Sequence, residues 1–172
     1  EACNYVINFA KNKLCVDSII CLPTEHVAVL SPIENSNLNT TMCSVNSDGL
    51  IDLRELENIL KKSSELKKLI CVMAVNNETG IIQPIKEISN LCKKYNDYFF
   101  CDCIQALGKI PLDMKNIGID FSTFASHKIG GPQGVGVVYI GANLGNYSDI
   151  VGGGQEFGRR GSTENVLAIS SF

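Results

Sequence analysis

Tryptophan is absent from this 172-residue chain, histidine occurs only twice, and a net charge of −3 leaves no excess of basic residues. Without a Lys/Arg stripe there is little to neutralise a phosphate backbone, so nucleic acid is not an expected partner. Long apolar runs are missing as well. The longest, Leu69 to Val75, falls far short of the roughly 20 residues that span a bilayer, so no membrane association is expected. Nothing at the N-terminus reads as a secretory leader, and a cytoplasmic setting is the default. No C-x-x-C pair occurs among the eight cysteines, which argues against a zinc or iron–sulfur site, and no metal is expected.

What is present suits a globular domain: 45% hydrophobic and 19% charged residues, in a chain long enough for one substantial core. The cysteines read as reduced, mostly structural thiols, several of them inside apolar runs. Only Cys101 and Cys103 are close. On a strand, Asp102 between them points to the opposite face.

Hydrophobic periodicity then orders the chain. Cys3, Val6, Ile7, Ala10 and Leu14 repeat at helical spacing, and Ser18 to Leu22 reads as a buried strand. The stretch EHVAVL predicts a short helix, followed by a polar loop and a strand near Met42 to Val45. Asp52 with Glu55 forms a capping-box variant ahead of the stripe Leu53, Leu56 and Leu60. LICVMAV predicts a continuous buried strand, the kind found in parallel sheets covered on both faces. Pro84 opens a further helix, with Ile85, Ile88, Leu91 and Tyr95 on one side. Strands at Tyr98 to Cys101, Phe121 to Ala125 and Gly134 to Ile140 follow, with a helical turn at Met114 to Ile117. This alternation predicts an α/β fold: a mainly parallel sheet with helices on both faces.

Ligands of such sheets bind beyond the carboxyl ends of the strands. The polar residues there are Asn76, Asn77 and Glu78, then Asp102 and Gln105, then His127 and Lys128. An acid after one strand and a His-Lys pair after the next grip a pyridine cofactor from two sides. Pyridoxal 5′-phosphate requires that pair, because a lysine amine forms its Schiff base and a carboxylate keeps its ring nitrogen protonated. Such a lysine is expected in a water-poor setting. Each residue alone has a plainer reading. A strand-end aspartate commonly caps the next helix, a lysine is commonly solvated, and the glycines of GGPQGVGV serve as turn residues. His26 reads equally as a satisfied surface histidine and as an imidazole stacked on the ring; Asn77 reads as a turn residue or as an amide donor to the cofactor's phenolic oxygen.

The stretches TEHVAVL, VNNETGIIQPI, CDCIQALGKIPLD, SHKIGGPQGVG and GGGQEFGRR with STEN together resemble the cysteine desulfurases of the class V aminotransferase group, with the large-domain architecture of fold-type I pyridoxal-phosphate enzymes. The resemblance implies catalytic roles for Lys128, as the Schiff-base lysine, and for His26, as the ring-stacking proton shuttle. It implies cofactor contacts from Asp102 to the pyridine nitrogen, from Asn77 and Gln105 to the phenolic oxygen, and from Ser126 and His127 at the phosphate. Thr163 would reach the phosphate of a partner subunit, which implies a homodimer. L-cysteine is the implied substrate, and a sulfur-acceptor or iron–sulfur scaffold protein, or a tRNA-thiolation route, the implied destination of the sulfur. Selenocysteine lyase, other class V enzymes and a non-catalytic remnant are the alternatives. Two positions depart from the pattern: Ala125 stands where the family usually has a phosphate-binding serine, and Gly161-Ser162-Thr163 replaces small-Gly-Thr. None of the eight cysteines matches the family's nucleophile. Residues 1–172 are expected to be part of the cofactor-binding large domain, cut at both ends.

Overall fold

The computed structural model describes residues Glu1–Phe172. A six-stranded sheet organises them. Strands β1 (Ser18–Cys21), β2 (Asn39–Met42), β3 (Lys68–Cys71), β4 (Tyr98–Asp102) and β5 (Phe121–Ala125) run parallel, and β6 (Gly136–Ile140) is antiparallel to β5. Their order is β2-β1-β3-β4-β5-β6. Helices α1 (Ala2–Asn12) and α2 (Val27–Asn35) cover one face, with α3 (Leu53–Lys62) and α4 (Ile85–Lys94) on the other; α5 (Met114–Ile117) is a single turn.

Two apolar clusters sandwich the sheet. On the α1/α2 face, Phe9 packs edge-on against Phe121, with ring centroids 5.1 Å apart, and against Tyr147 at 5.3 Å. On the other face Leu56 and Leu60 of α3 and Ile88 and Cys92 of α4 lie over Ile70, Val72, Phe99 and Cys101. Alternation along β4 sends Phe99 and Cys101 to one cluster and Phe100 to the other. The doubly covered parallel sheet expected from the apolar runs is therefore present.

Three local differences have physical reasons. The second strand lies at Asn39–Met42, three residues ahead of the expected segment, because its partner β1 fixes the register from Ser18↔Asn39 to Cys21↔Met42. All four of its residues are exposed at the sheet edge, where no apolar run is needed. Helix α2 continues through Pro32 to Asn35, so the short helix expected from EHVAVL is nine residues long; the proline forfeits one backbone donor without ending it. Asp52 does cap α3, accepting from the Arg54 and Glu55 N–H groups at 2.9 and 3.0 Å. Glu55, however, turns away from the capping box and accepts from the backbone N–H and hydroxyl of Ser44.

Candidate active site

Because β1, β3, β4 and β5 are consecutive neighbours and parallel, their carboxyl ends lie side by side. Four loops meet there: Leu22–His26 after β1, Val72–Asn77 after β3, Cys103–Gln105 after β4 and Ser126–Lys128 after β5. Chain order thus becomes one row of functional groups along a sheet edge.

Asp102 is the row's buried anion, at 6% exposure. One carboxylate oxygen, Oδ1, accepts from the Ile104 N–H at 2.9 Å and from the Thr123 hydroxyl at 3.3 Å. No protein group donates to Oδ2. Burial pushes this carboxyl above its ordinary value, opposed by those two donors and by the nearby His26. The plain and functional readings thus coexist: Asp102 caps the turn with one oxygen and keeps the other for a cationic partner. Cys3 of α1 stands 4.0 Å from Thr123 Oγ1 on the same face. Cys101 and Cys103 lie on the other face, their sulfurs 3.6 Å apart.

His26 is exposed and N-caps α2, its Nδ1 accepting from the Ala28 N–H at 3.1 Å. A neutral imidazole held this way carries its proton on Nε2. The two asparagines after β3 have separate tasks. Asn76 Oδ1 accepts from the Glu78 and Thr79 N–H groups, while its amide donates to the Thr24 carbonyl at 3.1 Å. Asn77 is exposed, and its side chain makes no protein hydrogen bond. Gln105 accepts from Lys109 through Oε1 at 2.7 Å, which leaves its amide hydrogens free.

Lys128 and His127 lie on a 3-10 turn, Ser126–Ile129, straight after β5. Both are exposed, so the water-poor setting expected for Lys128 is not supplied by these residues. Ser126 is fully buried, and its hydroxyl has no partner. It sits against Gly131, where a Cβ would lie 2.0 Å from Oγ. Ala125 is half-buried, and Thr163, in the segment that follows β6, is exposed.

One residue of this region escaped the sequence reading. Glu25, inside TEHVAVL, is buried and accepts the Met73 N–H at 2.9 Å. Burial, with a smaller contribution from the Asp102 charge, pushes its carboxyl up to about 8. A lone acid just before a helix carries no signal that separates it from a solvated one.

The family model for aminotransferase class-V matches residues 1–166. The chain belongs to this family. Among class-V relatives, the cysteine desulfurase IscS of Clostridium botulinum is 38% identical over 161 residues, covering 92% of the chain and 40% of the relative. A cysteine desulfurase of Nostoc sp. is 42% identical over 154 residues, covering 88% of the chain and 38% of the relative. A NifS-like protein from Rickettsia africae has a solved structure that superposes with a TM-score of 0.87 at 39% identity, covering 98% of this chain and 47% of that one. A second NifS-like structure reaches a TM-score of 0.90 at 33% identity, covering 99% and 48%. The class-V chain thus spans about two fifths of the curated relatives named here, and its fold is that of the two NifS-like structures over the part it covers.

Proposed function

We propose that this chain forms the pyridoxal-phosphate-binding part of a cysteine desulfurase that takes sulfur from L-cysteine and leaves alanine. The row of strand ends carries this reading: a buried carboxylate with a free oxygen, free amide donors and an unpartnered lysine, delivered by adjacent parallel strands.

The donor set fits the cofactor. Asp102 Oδ2 would hold the ring nitrogen, and a protonated nitrogen there offsets the cost of burying the carboxylate. The free amides of Asn77 and Gln105 suit the phenolic oxygen, His127 and the unpartnered Ser126 hydroxyl suit the phosphate, and Thr163 would donate to the phosphate of a partner subunit. When bound, pyridoxal phosphate supplies a ring that accepts the electron pair left at the substrate α-carbon. Asp102 keeps the ring nitrogen charged for that purpose. Lys128 would hold the cofactor through its amine and, once the substrate amine had displaced it, would move the α-carbon proton with that freed amine. His26 exchanges protons through Nε2, its Nδ1 being engaged with Ala28.

The sulfur-taking thiolate is assigned to none of the eight cysteines. Seven are buried, and exposed Cys15 follows α1 just before β1, at the amino ends of the strands and opposite the site. Exposed Phe157, Leu167 and Val166 flank Thr163, which supports a second copy covering this stretch in a homodimer. Eight free thiols suit a reducing compartment, the cytoplasm in this reading. A thiol-bearing acceptor, or an iron–sulfur scaffold protein, would receive the sulfur.

The test is turnover by a protein that joins this chain to a segment supplying the thiolate, given pyridoxal phosphate, L-cysteine and a reductant; residues 1–172 alone are expected to give no sustained turnover. From the joined protein, equal amounts of alanine and sulfide are expected, and uptake of the cofactor with neither product overturns the reading. A narrower prediction concerns the phosphate end. The buried, unpartnered Ser126 hydroxyl is one place along from 125 and would only partly compensate for a donor missing there. Ala125→Ser is expected to tighten cofactor binding by about tenfold, from one added hydrogen bond to a charged group worth roughly 1.5 kcal/mol. Fluorescence titration of the cofactor checks it, and an unchanged Kd shows that other donors already saturate the phosphate.

A further inference from the structure

The loop after β1 is stitched to the segment after β3 by two hydrogen bonds. Met73 N–H donates to Glu25 Oε1 at 2.9 Å, and the Asn76 amide donates to the Thr24 carbonyl at 3.1 Å. Glu25 is 6% exposed and its Oε2 has no partner. The next residue, His26, caps α2 through Ala28. The next backbone N–H along the β3 extension, that of Ala74, donates to the Asp102 carbonyl at 2.9 Å. One two-residue segment, Met73-Ala74, therefore ties the histidine loop on one side to the aspartate strand on the other.

We propose that Glu25 is a positioning residue that fixes His26 relative to Asp102 by clamping the β1–α2 loop to the end of β3. This rests on the reading of His26 and Asp102 as the groups that flank the cofactor ring. An unpartnered carboxyl oxygen in the interior is costly unless position or charge compensates. With its carboxyl raised to about 8, Glu25 is mainly neutral at pH 7. It clamps without adding a second negative charge beside the Asp102 carboxyl. Because a hydrogen bond to Met73 requires only an acceptor, an amide of the same shape suffices.

The experiment uses the protein that joins this chain to the thiolate-supplying segment, with Glu25→Gln, Glu25→Asp, Glu25→Ala, His26→Ala and the double variant Glu25→Ala/His26→Ala. Amide hydrogen exchange is measured on the cofactor-free protein over Val27–Leu30, the first turn of α2. Turnover of L-cysteine is measured on the loaded protein. Glu25→Gln is expected to keep both within about threefold of wild type. Glu25→Ala is expected to speed exchange in that turn about tenfold, with distant strands unchanged, and to lower kcat about tenfold; in the His26→Ala background it should lower kcat no further. If the alanine variant does not fold, Glu25→Asp, one methylene short of Met73, is expected to show the same changes at smaller size. Exchange and kcat at wild-type level in the alanine variant, or in the aspartate variant where it is the one that folds, overturn the proposal, as does a Glu25→Ala loss that multiplies in full with that of His26→Ala. A wild-type chain that takes up no pyridoxal phosphate instead sinks the functional reading, and the exchange measurement then decides the clamp alone.

Discussion

Lys128→Ala in a protein that joins this chain to the thiolate-supplying segment is expected to lower turnover of L-cysteine by about 10³-fold or more, the scale on which loss of a covalent participant appears. The side chain stands at the end of β5, next to β4 and its Asp102, and makes no hydrogen bond that would hold it for a structural task. Its removal should therefore leave the melting temperature within a few degrees while abolishing activity. Lys128→Arg should fare no better, because a guanidinium keeps the charge without a nucleophilic amine. Borohydride reduction of the loaded wild type, followed by peptide mapping, should place the cofactor on Lys128. Lys109→Ala provides the contrast. It frees Gln105 Oε1 but removes no reacting group, and a loss of threefold or less is expected. A cofactor tag on any other lysine overturns the assignment.

Much of the frame was legible in the chain because it depends on periodicity, which the sequence carries directly. Ile19, Ile20, Leu69, Ile70, Phe99 and Phe100 are fully or almost fully buried, as runs that must satisfy two faces require. The strand that was misplaced, β2, is one whose residues face water, so no apolar signal marks it and only pairing with β1 sets its register. The site divides in the same way. Asp102, Gln105 and Lys128 could be placed at neighbouring strand ends because strand ends are predictable positions. What was not legible is which of two like neighbours is free. Asn76 and Asn77 are indistinguishable in sequence, yet the first is consumed by its own turn and by Thr24. Nor does the sequence show that Ser126 is buried against Gly131 with its hydroxyl unpartnered. Glu25 was invisible for the opposite reason. Its partner, the Met73 N–H, is a backbone group 48 residues away, and no side-chain pattern encodes it.

At the amino ends of the strands, Lys68→Met is expected to destabilise the protein by about 3–5 kcal/mol at pH 7, the scale for breaking a buried ion pair. Lys68 and Asp97 are both buried, with Nζ 3.3 Å from Oδ2. Asp97 Oδ1 also accepts the Lys68 N–H at 2.9 Å, which ties the start of β3 to the turn before β4. Burial pushes the Asp97 carboxyl up even with Lys68 in place, the lysine's N–H and ammonium opposing that rise. Without the ammonium the rise is larger, and the sign of the pH effect follows. The carboxyl is protonated in both folded and unfolded states below its ordinary value near 3.8, so the variant pays little there. As pH climbs, the unfolded chain releases the proton while the folded chain resists, and the deficit grows until the folded carboxyl ionises. Urea unfolding at pH 4 and pH 7 should therefore show a smaller gap between variant and wild type at the lower pH. Lys68→Met/Asp97→Leu removes both charges and should recover most of the loss, although the Lys68 N–H is then left without its acceptor. A single variant as stable as wild type at pH 7, or a gap that widens on acidification, would show that the pair is hydrated in solution and that Asp97 bears no burial cost.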